Sequence, residues 1–105
     1  MKIRLVASDM DGTLLDPLSH ISEENANAIR ELQQSGAEFV ICSGRAYSGA
    51  HPIVSGAGIH CSYICLSGAM ICTEDGKACT SIPLTPGNLA DIDRILTDAG
   101  IFMDI

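Results

Sequence analysis

The stretch Ile3-Arg4-Leu5-Val6-Ala7-Ser8-Asp9-Met10-Asp11-Gly12-Thr13 decides the fold. Its first half is rich in branched apolar residues and predicts a short strand over 3–8. That strand runs straight into two acids one residue apart, and Asp11-Gly12-Thr13 is a turn signal. Two later segments repeat the design. Glu38-Phe39-Val40-Ile41-Cys42 precedes Ser43-Gly44-Arg45, and Tyr63-Ile64-Cys65-Leu66 precedes Ser67-Gly68. A helix is predicted between the first two. Ser22 is its N-cap, Glu23 and Glu24 lie in its first turn, and Gly36 stands just past its end. Ala26, Ala28, Ile29 and Leu32 give it an apolar stripe. Residues 46–55 carry a weaker helical signal, interrupted by Gly49 and Pro52. Strand, helix, strand, helix, strand is the α/β pattern of a parallel sheet with helical crossovers.

Outward from that frame, Leu14 to His20 contains Asp16-Pro17 and reads as a loop or bent hairpin. Ala69–Cys72 and Ala78–Ile82 flank Glu74-Asp75-Gly76-Lys77, a hairpin signal. Thr85 caps a further helix with Pro86 one residue inside; Leu89, Ile92, Ile95 and Leu96 line one face and Gly100 ends it. Ile101–Ile105 reads as the start of another strand.

Composition narrows the classes. The 105 residues carry 6 Lys plus Arg against 13 Asp plus Glu, a net charge of −7. Such a chain lacks the basic patch that nucleic-acid binding needs and is repelled by anionic membrane surfaces. Apolar residues at 47% support a core, and aromatics at 4% make that core aliphatic. The apolar run Leu5-Val6-Ala7 is too short for a secretory segment. No stretch approaches a membrane span of ~20 apolar residues. The expected location is the cytoplasm. The five cysteines include no C-x-x-C pair; Cys42, Cys65 and Cys72 sit inside apolar runs and read as small buried hydrophobes.

In parallel sheets ligands bind beyond the carboxyl ends of the strands. There the sequence gathers Asp9 and Asp11, Ser43-Gly44-Arg45 and Ser67-Gly68. Two carboxylates that close repel each other unless a cation bridges them or one holds a proton. Mg²⁺ prefers oxygen ligands and suits phosphate substrates. Arg45 adds positive charge, while the Ser43 hydroxyl and the Gly12 and Gly44 N–H groups suit phosphate oxygens. A carboxylate can serve as nucleophile, and its neighbour as acid and base. Singly, each motif has a plainer reading: Asp-x-Asp-Gly as an Asx turn, Ser-Gly-Arg as a loop with a solvated arginine. Their placement at the ends of successive strands favours a site.

Asp9-Met10-Asp11-Gly12-Thr13-Leu14-Leu15 resembles the first motif of the haloacid dehalogenase superfamily. Ser43-Gly44-Arg45 is similar to the second motif of its Cof-like phosphatases, and Ser67-Gly68-Ala69 to their N-G-A segment, with Ser67 in place of Asn. The resemblance implies a Rossmann-like core over 1–84, with flap and hairpin, and the beginning of an α+β cap domain over 85–105. It implies Asp9 as nucleophile and Mg²⁺ ligand. It implies Asp11 as general acid/base with its backbone carbonyl on the metal, and Thr13 as a supporting residue. Ser43 would bind the transferring phosphate, Gly44 and Arg45 would line the substrate side, and Gly12, Ser67 and Gly68 would complete the cradle. The implied substrate is a small phosphorylated metabolite such as a sugar phosphate, turned over through an aspartyl-phosphate.

Family members continue into a third motif with Lys and a fourth with acidic metal ligands, which nothing in this chain matches. Lys77 reads as a solvated turn residue, and His20, His51 and His60 show no ligand spacing. The chain therefore reads as the N-terminal part of a two-domain phosphatase. An exposed sheet edge is expected to drive homodimerisation or poor solubility. The competing readings are a non-catalytic binding or assembly piece, a phospho-acceptor signalling module and a dinucleotide-binding domain. The phospho-acceptor reading is weakened because strand three ends in Leu66-Ser67 rather than Asp. The dinucleotide reading is weakened because Gly56-Ala57-Gly58 lacks a third glycine.

Overall fold

The computed structural model describes residues 2–102. The strand expected over 101–105 is not formed at 101–102, and its remainder lies outside the described residues. Three strands, β1 (Leu5–Ser8), β2 (Glu38–Cys42) and β3 (Ser62–Cys65), pair in parallel in chain order. Two helices cross over between them, α1 (Glu23–Gln34) and α2 (Tyr47–Gly56). The hairpin β4 (Met70–Cys72) and β5 (Ala78–Ser81) adds antiparallel to the β3 edge, so the sheet is mixed, in the order β1-β2-β3-β4-β5. A last helix, α3 (Pro86–Asp98), follows.

The local causes are those of the sequence. The Ser22 hydroxyl accepts from the Asn25 N–H at 3.1 Å and caps α1, while Gly36 (φ +95) turns the chain out of it. Thr85 caps α3 in the same way through Asn88, at 3.1 Å. Pro52 removes one donor inside α2. The helix persists there because Ala50 and Val54 are fully buried beneath it. Strand three sits one residue earlier than its apolar run, because Leu66 leaves the sheet with φ +51.

Stepping β1, β2, β3 in one direction with right-handed crossovers puts both helices on the same face. Burial follows that geometry. Phe39, Ile41, Tyr63 and Cys65 face Ala26 and Ile29 of α1 and Ala50 and Val54 of α2 in a single core with Met10. Arg30 Nη1 donates to Ala57 O at 2.7 Å, and Gln33 Nε2 to His60 O at 2.7 Å, tying α1 to the exit of α2. On the opposite face Leu5, Ala7 and Cys42 are exposed and Val40 and Ile64 are half-buried. The expectation that Cys42 is buried is therefore corrected: it points to the uncovered face, whereas Cys65 and Cys72 are buried as expected. α3 contributes no buried residue.

Candidate active site

Parallel register aligns the carboxyl ends of the first three strands: Ser8 stands beside Ile41, and Cys42 beside Ile64. The residues that follow each strand therefore emerge along one edge. After β1, the chain bends at Asp11 and Gly12 (φ +77), a left-handed position that suits glycine, and Leu15 N closes on Met10 O at 2.9 Å. Met10 is wholly buried, which anchors the turn and leaves Asp9 and Asp11 on its outer side. Thr13 Oγ1 donates to Asp9 Oδ2 at 3.4 Å. The segment to Ile21 is a bent hairpin: Leu15 pairs with Ile21, and Asp16 Oδ1 accepts from the N–H groups of Leu18 and His20, each at 2.9 Å.

The second and third loops are knitted together. Ser43 N donates to Ile64 O at 2.9 Å, Ser67 N to Ser43 O at 3.1 Å, and Leu66 N to Arg45 O at 3.0 Å. Ser43 is buried, and its Oγ accepts from the Arg45 N–H at 3.0 Å, which leaves the hydroxyl proton able to donate to a ligand. Ser67 lies against Gly44: a Cβ there would stand 3.4 Å from Ser67 Oγ. Leu66, Ser67 and Gly68 all take positive φ (+51, +54, +98), a run that Gly adopts freely and the other two only under strain.

One contact closes the edge. Arg45 Nε donates to Asp11 Oδ2 and Nη2 to Asp11 Oδ1, both at 2.7 Å, a bidentate fork across 34 residues of sequence. The only signal for it in the sequence is opposite charge at the ends of adjacent strands. The guanidinium hydrogen-bonded to Asp11 holds that carboxyl below its ordinary pKa. Thus Asp9, Asp11, Thr13, Ser43, Gly44, Arg45 and Ser67 meet at one place. His51 does not join them; it stacks on Tyr47 with ring centroids 4.8 Å apart. Lys77 lies in the hairpin turn, as expected. Two cavities, of about 280 and 380 Å³, lie along α3 and between Ser19–Ile21 and the second half of α2. Asp9 and Asp11 themselves stand exposed on the acidic ledge that this edge forms.

The donors on that ledge are hard oxygens, the kind Mg²⁺ selects, and Mg²⁺ commonly takes one or two carboxylates and completes its shell with water and substrate phosphate. Asp9 and the main-chain carbonyl of Asp11 fit that description, whereas the Asp11 carboxylate is committed to Arg45. Among the described residues no three His, Cys, Asp or Glu side chains cluster as a metal site. No described helix is long and apolar enough to cross a membrane.

Comparison with known proteins agrees with this geometry. Residues 6–104 match the model of the haloacid dehalogenase-like hydrolases. The chain is 39% identical over 75 residues to phosphatase YwpJ of Bacillus subtilis (strain 168), covering 71% of the chain and 26% of that protein. It is 54% identical over 43 residues to 5-amino-6-(5-phospho-D-ribitylamino)uracil phosphatase YcsE of the same organism, covering 41% of the chain and 17% of that protein. A solved haloacid dehalogenase-like hydrolase from B. subtilis superposes with a TM-score of 0.86 at 33% identity, over 93% of this chain and 34% of that one. The match thus spans about a quarter of the length of the first of these curated relatives and about a sixth of the second. With nearly the whole of this chain matched to the family model and the fold shared, the chain belongs to the haloacid dehalogenase-like hydrolases.

Proposed function

We propose that this chain carries the nucleophile-bearing part of a Mg²⁺-dependent phosphatase. It acts on small phosphorylated metabolites such as sugar phosphates, through an aspartyl-phosphate on Asp9. The observation that carries the reading is the convergence of Asp9, Asp11 and the Ser43–Arg45 loop on one sheet edge. The substrate class draws support from a relative whose name specifies a phosphorylated ribityl compound. Family membership supports the metal, which Asp9 and the Asp11 carbonyl would hold. When bound, it offsets the negative charge that substrate brings to an acidic ledge.

The chain's own groups account for the steps. The Ser43 hydroxyl and the N–H groups of Gly12, Gly44 and Gly68 hold the phosphate oxygens, with Ser67 at the rim. An Asp9 carboxylate oxygen attacks phosphorus and the bond to the leaving oxygen breaks. Asp11, released from its fork to Arg45 and protonated, gives that oxygen its proton. Asp11 then takes a proton from water, the water oxygen attacks phosphorus, and the Asp9–phosphorus bond breaks to release orthophosphate. Thr13 keeps the Asp9 carboxylate in place. We further propose a boundary near Thr85 where a cap begins, supported by the absence of buried residues in α3. We propose a cytoplasmic site of action as well, supported by five unpaired thiols.

Intact mass followed by hydrolysis of p-nitrophenyl phosphate with Mg²⁺, with EDTA and in Asp9→Asn tests the reading. Activity at the mass of 105 residues, lost with EDTA and in Asp9→Asn, supports it. A second reading, a piece that binds phosphate without turning it over, is favoured by a donor set of one carboxylate, Asp9, and one main-chain carbonyl, that of Asp11, with no cluster of three metal-ligating side chains among the described residues. Mg²⁺-dependent orthophosphate binding without hydrolysis would establish it.

A further inference from the structure

The backbone just past β3 is strained, and its hydrogen bonds supply the reason. Leu66, Ser67 and Gly68 take φ of +51, +54 and +98 in succession. Only Gly68 does so freely, because a Cβ crowds the next carbonyl oxygen in the left-handed region. Burial does not impose the conformation on Leu66, whose side chain is 45% exposed. Main-chain bonds impose it. Leu66 N donates to Arg45 O at 3.0 Å and Ser67 N to Ser43 O at 3.1 Å, so two successive N–H groups serve one neighbouring loop. An extended strand points successive N–H groups to opposite sides and cannot make that pair of bonds, whereas a curled chain can. The two carbonyls so held flank Gly44. Of the loop's own amides, Ser43 N donates to Ile64 O at 2.9 Å and Arg45 N to Ser43 Oγ at 3.0 Å. The Gly44 N–H between them has no partner among the described residues.

We infer that Leu66 is a positioning residue for phosphate binding: its left-handed backbone, with that of Ser67, braces the Ser43–Arg45 loop so that the Gly44 N–H is held ready for a phosphate oxygen. The inference rests on the phosphatase reading of the site and adds to it a residue that touches no ligand. Strained φ angles persist only where the surrounding bonds over-determine them, and here those bonds run to the loop that would carry the phosphate. A donor fixed in advance binds more tightly than one that must be ordered on binding, because less conformational freedom is lost. Without the brace, Ser43 O and Arg45 O lose their donors and the Gly44 peptide is free to turn.

Backbone preference separates this role from any contact of the leucine side chain. Asn enters the left-handed region readily, whereas the β-branched Val and Thr are out of place there. The probe is inorganic orthophosphate with Mg²⁺, titrated into isotopically labelled protein well below its unfolding midpoint and followed by NMR at the Gly44 amide. Leu66→Asn should bind within about twofold of the parent and unfold at an equal or higher denaturant concentration, since it keeps the brace and eases the strain. Leu66→Val should unfold earlier and, while folded, bind about fivefold more weakly or worse, since it opposes the brace. If Leu66→Val does not fold, Leu66→Thr, with the same backbone bias and a polar side chain suited to an exposed position, is read in its place. A folded β-branched variant that binds like the parent makes Leu66 merely structural and overturns the inference. So does a Leu66→Asn that loses as much affinity as the β-branched variant, because the side chain would then be what matters. A parent whose Gly44 amide does not respond to orthophosphate with Mg²⁺ removes the phosphate reading of the ledge and this inference with it. A responding parent with unaffected variants removes the inference alone.

Discussion

Thiol accessibility divides the cysteines by which way each side chain leaves its strand. Cys42 and Cys79 are exposed, while Cys61, Cys65 and Cys72 are buried. Burial also pushes the Cys61 thiol up to about 11, so it stays protonated at pH 8. A chromogenic disulfide reagent at pH 8 should therefore titrate two thiols rapidly and the other three only on unfolding; three or more fast thiols would contradict the packing. Because the pKa of Cys61 is raised in the folded state, its contribution to stability is complete below about pH 8.5 and declines as pH rises toward 11. At this scale the sequence was partly legible. Asp9, Asp11 and Ser43 could be nominated from type and spacing. Cys42 could not be oriented, because in a run of apolar residues such as Phe39-Val40-Ile41-Cys42 either alternating set can face the core.

The elements carry their own tests. In the turn between β4 and β5, Gly76 has φ +82, and a Cβ there would stand 2.7 Å from Tyr47 Cε1. Tyr47 cannot easily yield, because its hydroxyl donates to Glu74 O at 2.6 Å and its ring packs edge-on against Tyr63. Gly76→Ala should cost about 1–3 kcal/mol in chemical denaturation, from backbone strain and overpacking together. A loss below about 0.5 kcal/mol would mean that the hairpin is not clamped to α2. The helix α3 should be the first element lost. None of its residues is buried, and Ile82 and Leu84 before it are exposed. Limited proteolysis is expected to cut between β5 and α3 and leave a resistant fragment ending near Ser81. Both helix caps and the hairpin turn were readable, since they depend on neighbours in sequence. The attachment of the hairpin to β3 was not, because pairing such as Tyr63 with Cys72 has no local signature.

The whole molecule has one clothed face and one bare one. Both crossover helices lie on the same side, and the other side presents Leu5 at 57% exposure, with Ala7, Cys42 and Ile71 also exposed. Among the described residues β1 pairs only with β2 in the sheet, so its far edge offers free backbone groups there. The radius of gyration, 16.8 Å, exceeds the ~13 Å of a compact domain of this length, as a projecting α3 requires. The isolated chain should therefore self-associate with rising concentration, as sedimentation would show. Leu5→Lys, which puts charge on the bare face beside the free edge, should shift it toward monomer; a parent that stays monomeric at high concentration would refute this. The sequence by itself determined the α/β pattern, the caps, the turns and the acidic, glycine-bearing ends of the strands, because these rest on local propensity and periodicity. Only the tertiary structure decided that the sheet is covered on one side, that the hairpin extends it, and that Arg45 closes on Asp11. Those outcomes depend on strand order, crossover handedness and contacts between residues far apart in sequence, none of which a local pattern encodes.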